Sequence, residues 1–249
     1  MVALITGSTG KLGRELVKVL PNSLHPTREE LDIRYADAVS SYIRENRPDM
    51  VIHTAALTGI KQCEERMELA YGTNVEGTAN LVRAICESGI DCHFVYVSTA
   101  CVFYGDKGNR TENDLPYPKN FYSLTKLLGE FVVMYSQLRK YLILRTNFVA
   151  REKWPYPKAF TDRYGTYLFA DDLALAIKSV LGSKTTGILH VCGEKRVSML
   201  ELARMTTPSV EPMTLVEYKG PPLTVDMSLA SVRISPFKIS ERVRLDPAI

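Results

Sequence analysis

A short apolar run, Val2 to Thr6, leads straight into Thr6-Gly7-Ser8-Thr9-Gly10-Lys11-Leu12-Gly13, with glycines at every third position as a stretch of helical period begins. No other feature constrains the fold as strongly. Glycine allows a tight turn and a close approach of backbone to ligand, and the last glycine lets the helix lie against the strand. The first amides of the helix then face outward at the positive end of its dipole, a favourable seat for a pyrophosphate. The spacing predicts a strand, turn and helix that bind a dinucleotide, with Gly7, Thr9, Gly10, Lys11, Leu12 and Gly13 around the phosphates.

The rest of the chain repeats the theme. Further apolar runs, Met50 to His53, Phe94 to Val97, Tyr141 to Arg145 and Ile188 to Val191, read as strands. Between them, Leu12, Leu16, Val19 and Leu20 recur at helical spacing, as do Leu69, Leu81, Val82 and Ile85, then Leu127, Leu128, Phe131 and Met134. Parallel strands need such crossovers, and right-handed connections place helices on both faces. The expected fold is therefore α/β, a doubly wound parallel sheet of Rossmann type. After Arg145 the prolines at 155, 157, 208, 212, 221 and 222 break up regular structure. We expect a dinucleotide-binding domain over 1–145 and a smaller C-terminal lobe over 146–249, with 170–192 returning to the first domain.

Charge and cysteine content exclude several classes of partner. Lys and Arg number 31 against 28 Asp and Glu, a scattered surplus of +3, so neither a nucleic-acid footprint nor a polybasic membrane patch is expected. The richest apolar stretch, Phe94 to Phe103, is interrupted by Ser98 and Thr99 and is far shorter than the ~20 residues of a membrane span. Val2-Ala3-Leu4-Ile5 follows Met1 with no basic segment, so no signal peptide is indicated and a cytoplasmic protein is expected. Five cysteines without a C-x-x-C pair argue for reduced thiols, and against a disulfide framework or zinc site. The four histidines lack metal-ligand spacing, so no metal is expected.

Cofactor choice turns on the end of the second strand. No carboxylate stands at Ser23 to Thr27, where one would bind the adenosine ribose, but Arg28 lies just beyond and can pair with a 2′-phosphate. NADP(H) is the expected cofactor, with NAD(H) the alternative, and a surface turn is the competing role for Arg28. Asp32 is a candidate acceptor for the adenine amino group, against a turn or N-cap role.

Ser98 and Thr99 end the third apolar strand, at the edge of the sheet where open α/β proteins bind ligands. Tyr122 and Lys126 sit at i and i+4 near the start of a helix, one turn apart on one face. A phenol with pKa about 10 needs a nearby cation to work as an acid-base group at neutral pH, and Lys126 is that cation. The ordered set T-G-x-x-G-x-x-G, Ser98-Thr99 and Y-x-x-x-K resembles the extended short-chain dehydrogenase/reductase family. Ile52-His53-Thr54-Ala55-Ala56, Asn74-Val75-Glu76-Gly77-Thr78 and Leu144-Arg145-Thr146 extend the resemblance over most of the chain. It implies that Ala55 and Ala56 pass the cofactor and that Asn74 helps fix the strand ends beside it.

Within that family the chain is most similar to the dTDP-4-dehydrorhamnose reductases and related nucleotide-sugar 4-ketoreductases. Arg28 to Ile33, Ser98 to Gly105 and Asp162 to Thr166 carry this likeness. Those reductases have S-T-D-Y-V-F-x-G where this chain has Ala100-Cys101 in place of Asp-Tyr, and the stretch Thr146 to Thr166 is shorter here. Sugar-nucleotide dehydratases need an Asp-Glu pair after the threonine, which Ala100-Cys101 cannot supply. The resemblance implies an NADP(H)-preferring reductase of a 4-keto-6-deoxy nucleotide sugar. Tyr122 would be its acid, with Thr99 or Ser98 as the hydroxyl partner and Lys126 on the nicotinamide ribose. An epimerase on the same scaffold and a non-catalytic cofactor-binding regulatory subunit are the alternatives, and a homodimer is an assembly left open. The lone Trp154 is read as packing before base stacking, and Asp171-Asp172 as charge in a helix first turn.

Overall fold

The computed structural model describes residues 2–183 and 185–240, so residues 241–249 of the expected lobe lie outside the described residues. Five strands, β1 (Ala3–Thr6), β2 (Met50–His53), β3 (His93–Thr99), β4 (Lys140–Thr146) and β5 (Gly187–Val191), lie side by side in chain order and all run parallel. Each coincides with one of the apolar runs read from the sequence to within a few residues, β1 starting one residue later than its run. The expected second strand is reduced to one parallel bridge between Leu24 and Leu4, on the outer side of β1. From β1 the chain thus goes to one side at Leu24 and to the other at β2, which makes the carboxyl end of β1 the point where the winding reverses.

Two apolar layers sandwich the sheet. On one face Ile5, Ile52, Val95, Val97, Leu142 and Leu144 meet Leu12 and Leu16 of α1 (Lys11–Val19), together with Leu173 and Ile177 of a late helix, Ala170–Leu181. On the other, Leu4, Val51, Phe94, Tyr96 and Ile143 meet α2 (Ala36–Asn46), α3 (Gly77–Ser88) and α4 (Phe121–Met134) through Val39, Ile43, Leu81, Ile85 and Val133. The late helix, α5, packs beside α1 and leads to β5. Alternation of side chains along each strand is what feeds both layers.

Past the strand ends lies a third cluster, in which Ala100 to Phe103 and Cys192 meet Tyr167, Phe169, Val197, Leu202, Met227 and Leu229. Its backbone is a small sheet of Tyr164–Gly165 flanked by Val197–Ser198 and Asp226–Met227. Trp154 packs against Ala159, Leu200, Ala203 and Val210. Arg151 clamps the first turn of α5, with Nε 2.8 Å from Asp171 and Nη2 2.7 Å from Asp172. All five cysteines are free thiols. Among the described residues, no helix is long and apolar enough to cross a membrane.

Candidate active site

The glycine turn forms as its sequence requires. Gly7 has φ +73°, and a Cβ there would stand 2.6 Å from the Ala55 nitrogen, so the end of β1 is pressed against the loop after β2. The Gly10 amide donates to the Gly7 carbonyl at 3.0 Å. A Cβ on Gly13 would lie 2.1 Å from that same carbonyl, and this close packing seats α1 on the turn. At Gly10, by contrast, a Cβ would meet only the Gly7 carbonyl, at 3.2 Å, leaving the outer side of the turn open. Gly10 is the N-cap of α1 and has no capping side chain, so the first amides of the helix are left for an anion. Thr9, Gly10 and Lys11 are exposed; the Leu12 side chain is buried in the core, so only its backbone belongs to the turn.

Arg28 and Asp32 come together beyond the Leu24 bridge, but not as independent contacts. Asp32 accepts from Arg34 Nε at 2.9 and 3.0 Å and from Arg34 Nη2 at 2.5 Å, and its Oδ2 also accepts from Arg28 Nε at 3.3 Å. The Arg34 guanidinium holds the Asp32 carboxyl down at about 2. The carboxylate oxygens of Asp32 are thus engaged by two arginines, and this places Asp32 in a turn beside Arg28. Arg28, 63% exposed, has most of its guanidinium free. Arg34 was not singled out in the sequence, although its position two residues after an acid is the signal that would have found it.

Ala55 and Ala56 are half-buried in the loop after β2, with Ala55 directly beneath Gly7. Asn74 sits in a π-helical turn, Gly72–Glu76, and is buried. Its Oδ1 accepts from the Leu57 amide at 2.7 Å, and its Nδ2 donates to the Leu57 carbonyl at 3.0 Å and to Thr125 Oγ1 at 2.9 Å. Both amide hydrogens are thus occupied by protein. Asn74 reaches the site by lashing the loop after β2 to α4, rather than through a free polar group.

Thr99 ends β3, and the N-terminal turns of α4 bring Tyr122 and Lys126 up beside it. Asn120 starts that helix: its side chain accepts from the Ser123 amide at 2.9 Å, while Glu64 Oε1 accepts from the Phe121 amide at 2.8 Å. Thr99 Oγ1 accepts the Cys101 amide at 3.1 Å, which directs its own hydrogen elsewhere. Burial raises the Tyr122 phenol above its usual range, and a hydrogen bond from Thr99 opposes that rise. Lys126 is 4% exposed, and its Nζ lies 4.0 Å from the centre of the Tyr96 ring. No hydrogen-bond acceptor for it is found among the described residues. Burial pulls this ammonium down to about 7, with the Glu130 carboxylate pulling the other way.

Ser98 does not share the cleft with Thr99. Neighbours on a strand point to opposite faces, and Ser98 Oγ donates instead to Glu130 Oε1 at 2.5 Å. In this structure the Ser98 hydroxyl hydrogen is engaged inside the protein, whereas Thr99 Oγ1 lies beside Tyr122. In the segment Asp162 to Thr166, which carries part of the family likeness, Arg163 and Thr166 are buried. Arg163 Nε donates to the Thr224 carbonyl at 2.9 Å, and Thr166 Oγ1 accepts the Leu229 amide at 2.9 Å.

A reversed winding point under a glycine turn, with a tyrosine and a buried lysine one helical turn apart beside a strand-end threonine, places the chain among the extended short-chain dehydrogenases/reductases. Residues 1–215 match the RmlD substrate binding domain, and the chain belongs to that family. It is 31% identical over 229 residues to a dTDP-4-dehydrorhamnose reductase of Aggregatibacter actinomycetemcomitans, covering 80% of this chain and 76% of that protein. A solved dTDP-4-dehydrorhamnose reductase from Bacillus anthracis, in complex with NADP, is similar at 26% identity and a TM-score of 0.82, over 92% of this chain and 90% of that one. Methionine adenosyltransferase 2 subunit beta of Xenopus laevis is 36% identical over 143 residues, 53% of this chain and 42% of that protein.

Proposed function

We propose that this protein is an NADP(H)-preferring oxidoreductase that reduces the C4 carbonyl of a 4-keto-6-deoxy nucleotide sugar. The observation that carries the reading is the trio of Thr99, Tyr122 and buried Lys126 where β3 ends against the start of α4; likeness to named reductases over four fifths of the chain supports it. The open turn at Gly10 and the uncapped start of α1 fit a pyrophosphate, and the enclosed ammonium of Lys126 fits ribose hydroxyls. When bound, the nicotinamide supplies the hydride.

Everything else is work for side chains. Burial keeps the Tyr122 phenol protonated at neutral pH, the state from which it delivers a proton to the carbonyl oxygen. Thr99 donates a hydrogen bond to that oxygen, and Lys126 stabilises the phenolate that Tyr122 becomes. Thr125 and Asn74 hold the helix in place from behind. We assign residues 1–145 and 170–192 to the dinucleotide-binding domain and the remainder to a substrate lobe, in a cytoplasmic protein.

Incubation with NADPH and a panel of 4-keto-6-deoxy nucleotide sugars tests the reading: cofactor should be oxidised, with a sugar product heavier by two hydrogen atoms. Likeness to a protein named as a subunit favours one rival, a regulatory component that binds cofactor without turning over. Failure of the whole panel together with recovery of a stable protein partner would establish that rival. Cofactor choice gives a second expected result. Because most of the Arg28 guanidinium is exposed and the nearby Asp32 carboxylate is held by Arg34, NADPH should bind more tightly than NADH, and Arg28→Ala should erase the difference. Equal wild-type affinities, measured by fluorescence titration, would overturn the role of Arg28.

A further inference from the structure

Glu130 has no part in the reading above, yet three elements of the site converge on it. It lies one turn beyond Lys126 in α4 and is fully buried. Ser98 Oγ donates to it at 2.5 Å, Arg145 Nε at 3.0 and 3.2 Å, and Arg145 Nη2 at 2.6 Å. Ser98 directly precedes Thr99, so the Ser98 bond ties the strand of Thr99 to the helix of Tyr122 and Lys126. Arg145 stands opposite Ser98 in the register of β3 and β4, so the same carboxylate also grips the next strand.

The surroundings of Lys126 give this carboxylate a second part. The titratable groups around the ammonium are Tyr96 of β3 beneath it, His53 of β2, Arg145 of β4, and Tyr122 and Glu130 of its own helix. His53 is neutral, burial holding its imidazole down at about 3. Glu130 is the anion among these groups.

Resting on the assignment of Thr99, Tyr122 and Lys126, we propose that Glu130 is the positioning residue of this site: it holds Thr99 against Tyr122 by tying β3 to α4, and, one helical turn from Lys126, it is that lysine's counter-charge. A buried ion pair with only a structural part would leave the lysine's titration unaltered. Its removal would weaken the fold and nothing more specific.

The test is a pH titration of full-length protein labelled with ¹³Cε-lysine, the Lys126 signal being assigned by its loss in Lys126→Met. Glu130→Gln keeps the shape and an acceptor for Ser98 but removes the charge, so Lys126 should lose its proton at a lower pH, by roughly half a unit or more. Glu130→Asp keeps the charge and should leave the midpoint near the wild-type value, and if Glu130→Gln does not fold, the contrast between Glu130→Asp and Glu130→His, whose imidazole carries no negative charge, serves instead. Ser98→Ala breaks the tie but keeps the charge. It should lower kcat roughly tenfold to a hundredfold without moving the lysine midpoint, as a small misplacement of reacting groups does. An unmoved Lys126 midpoint in the variant that loses the negative charge while Arg145 remains overturns the counter-charge, and unchanged kcat in Ser98→Ala overturns the tie. The titration needs neither cofactor nor sugar, so a chain that reduces no sugar would sink the proposed activity while the lysine measurement still decides the part of Glu130.

Discussion

Tyr122→Phe is expected to lower turnover by roughly 10²- to 10⁴-fold, the usual worth of a positioned general acid. The ring stays, so its packing at the start of α4 is preserved, while the hydrogen that would reach the sugar oxygen is gone. Cofactor affinity should remain near the wild-type value because the glycine turn and Lys126 are intact. Steady-state rates with NADPH and an accepted sugar, alongside a fluorescence titration of the cofactor, measure both quantities. Near-native turnover would move proton donation to another group. Thr99 and Cys101 are the next to test, whereas Ser98 is already bonded to Glu130.

The second large effect concerns stability. Arg145 and Glu130 are 2% and 0% exposed and form a two-pronged ion pair. Arg145→Met removes the guanidinium and leaves the buried carboxylate without its bidentate partner, so stability should fall by about 3–5 kcal/mol. Adding Glu130→Leu removes the stranded charge, and the double variant should recover most of the loss, since well-packed apolar replacements of such pairs are often neutral. Urea denaturation of the wild type, of Arg145→Met and Glu130→Leu singly, and of the double variant completes a double-mutant cycle. If the double variant is as unstable as the single one, shape rather than charge is what the pair contributes.

Much of the scaffold was legible because apolar runs are direct reports of burial. Met50 to His53 stands out in the sequence and is a strand over those residues, and Lys140–Thr146 differs from its apolar run by one residue at each end. The helix Ala36–Asn46 was missed because it buries only Val39 and Ile43, with Ser40 and Ser41 between them, so its stripe is too narrow to register as periodicity. Tyr122 and Lys126 were legible because their separation on a helix is local. The choice between Ser98 and Thr99 was not, because it turns on Glu130, which engages the Ser98 hydroxyl from α4 and leaves Thr99 beside Tyr122, a contact with no local sequence signal.

The buried pair was hidden for a related reason. Glu130 and Arg145 are 15 residues apart, each a single charge inside an otherwise apolar segment. That oddity in Phe131's helix and in Tyr141-Leu142-Ile143-Leu144-Arg145 was the available signal. A fully buried charge must find its opposite, but which opposite depends on contacts that a one-dimensional reading does not contain.

The junction between Asn147 and Met227 bears on the order in which a newly made chain acquires its parts. Asn147 Nδ2 donates to the Met227 carbonyl at 2.5 Å across 80 residues, and Met227 also meets Cys101, beside Thr99. At ~5–20 residues per second, a ribosome needs roughly 4–16 s to pass from one to the other. Throughout that interval the nascent chain already contains the glycine turn, Tyr122 and Lys126, while the segment that closes over Cys101 has yet to be synthesised. The dinucleotide half is therefore translated ahead of the wall that completes the other half, and a cofactor captured during the delay would be in place before that wall arrives.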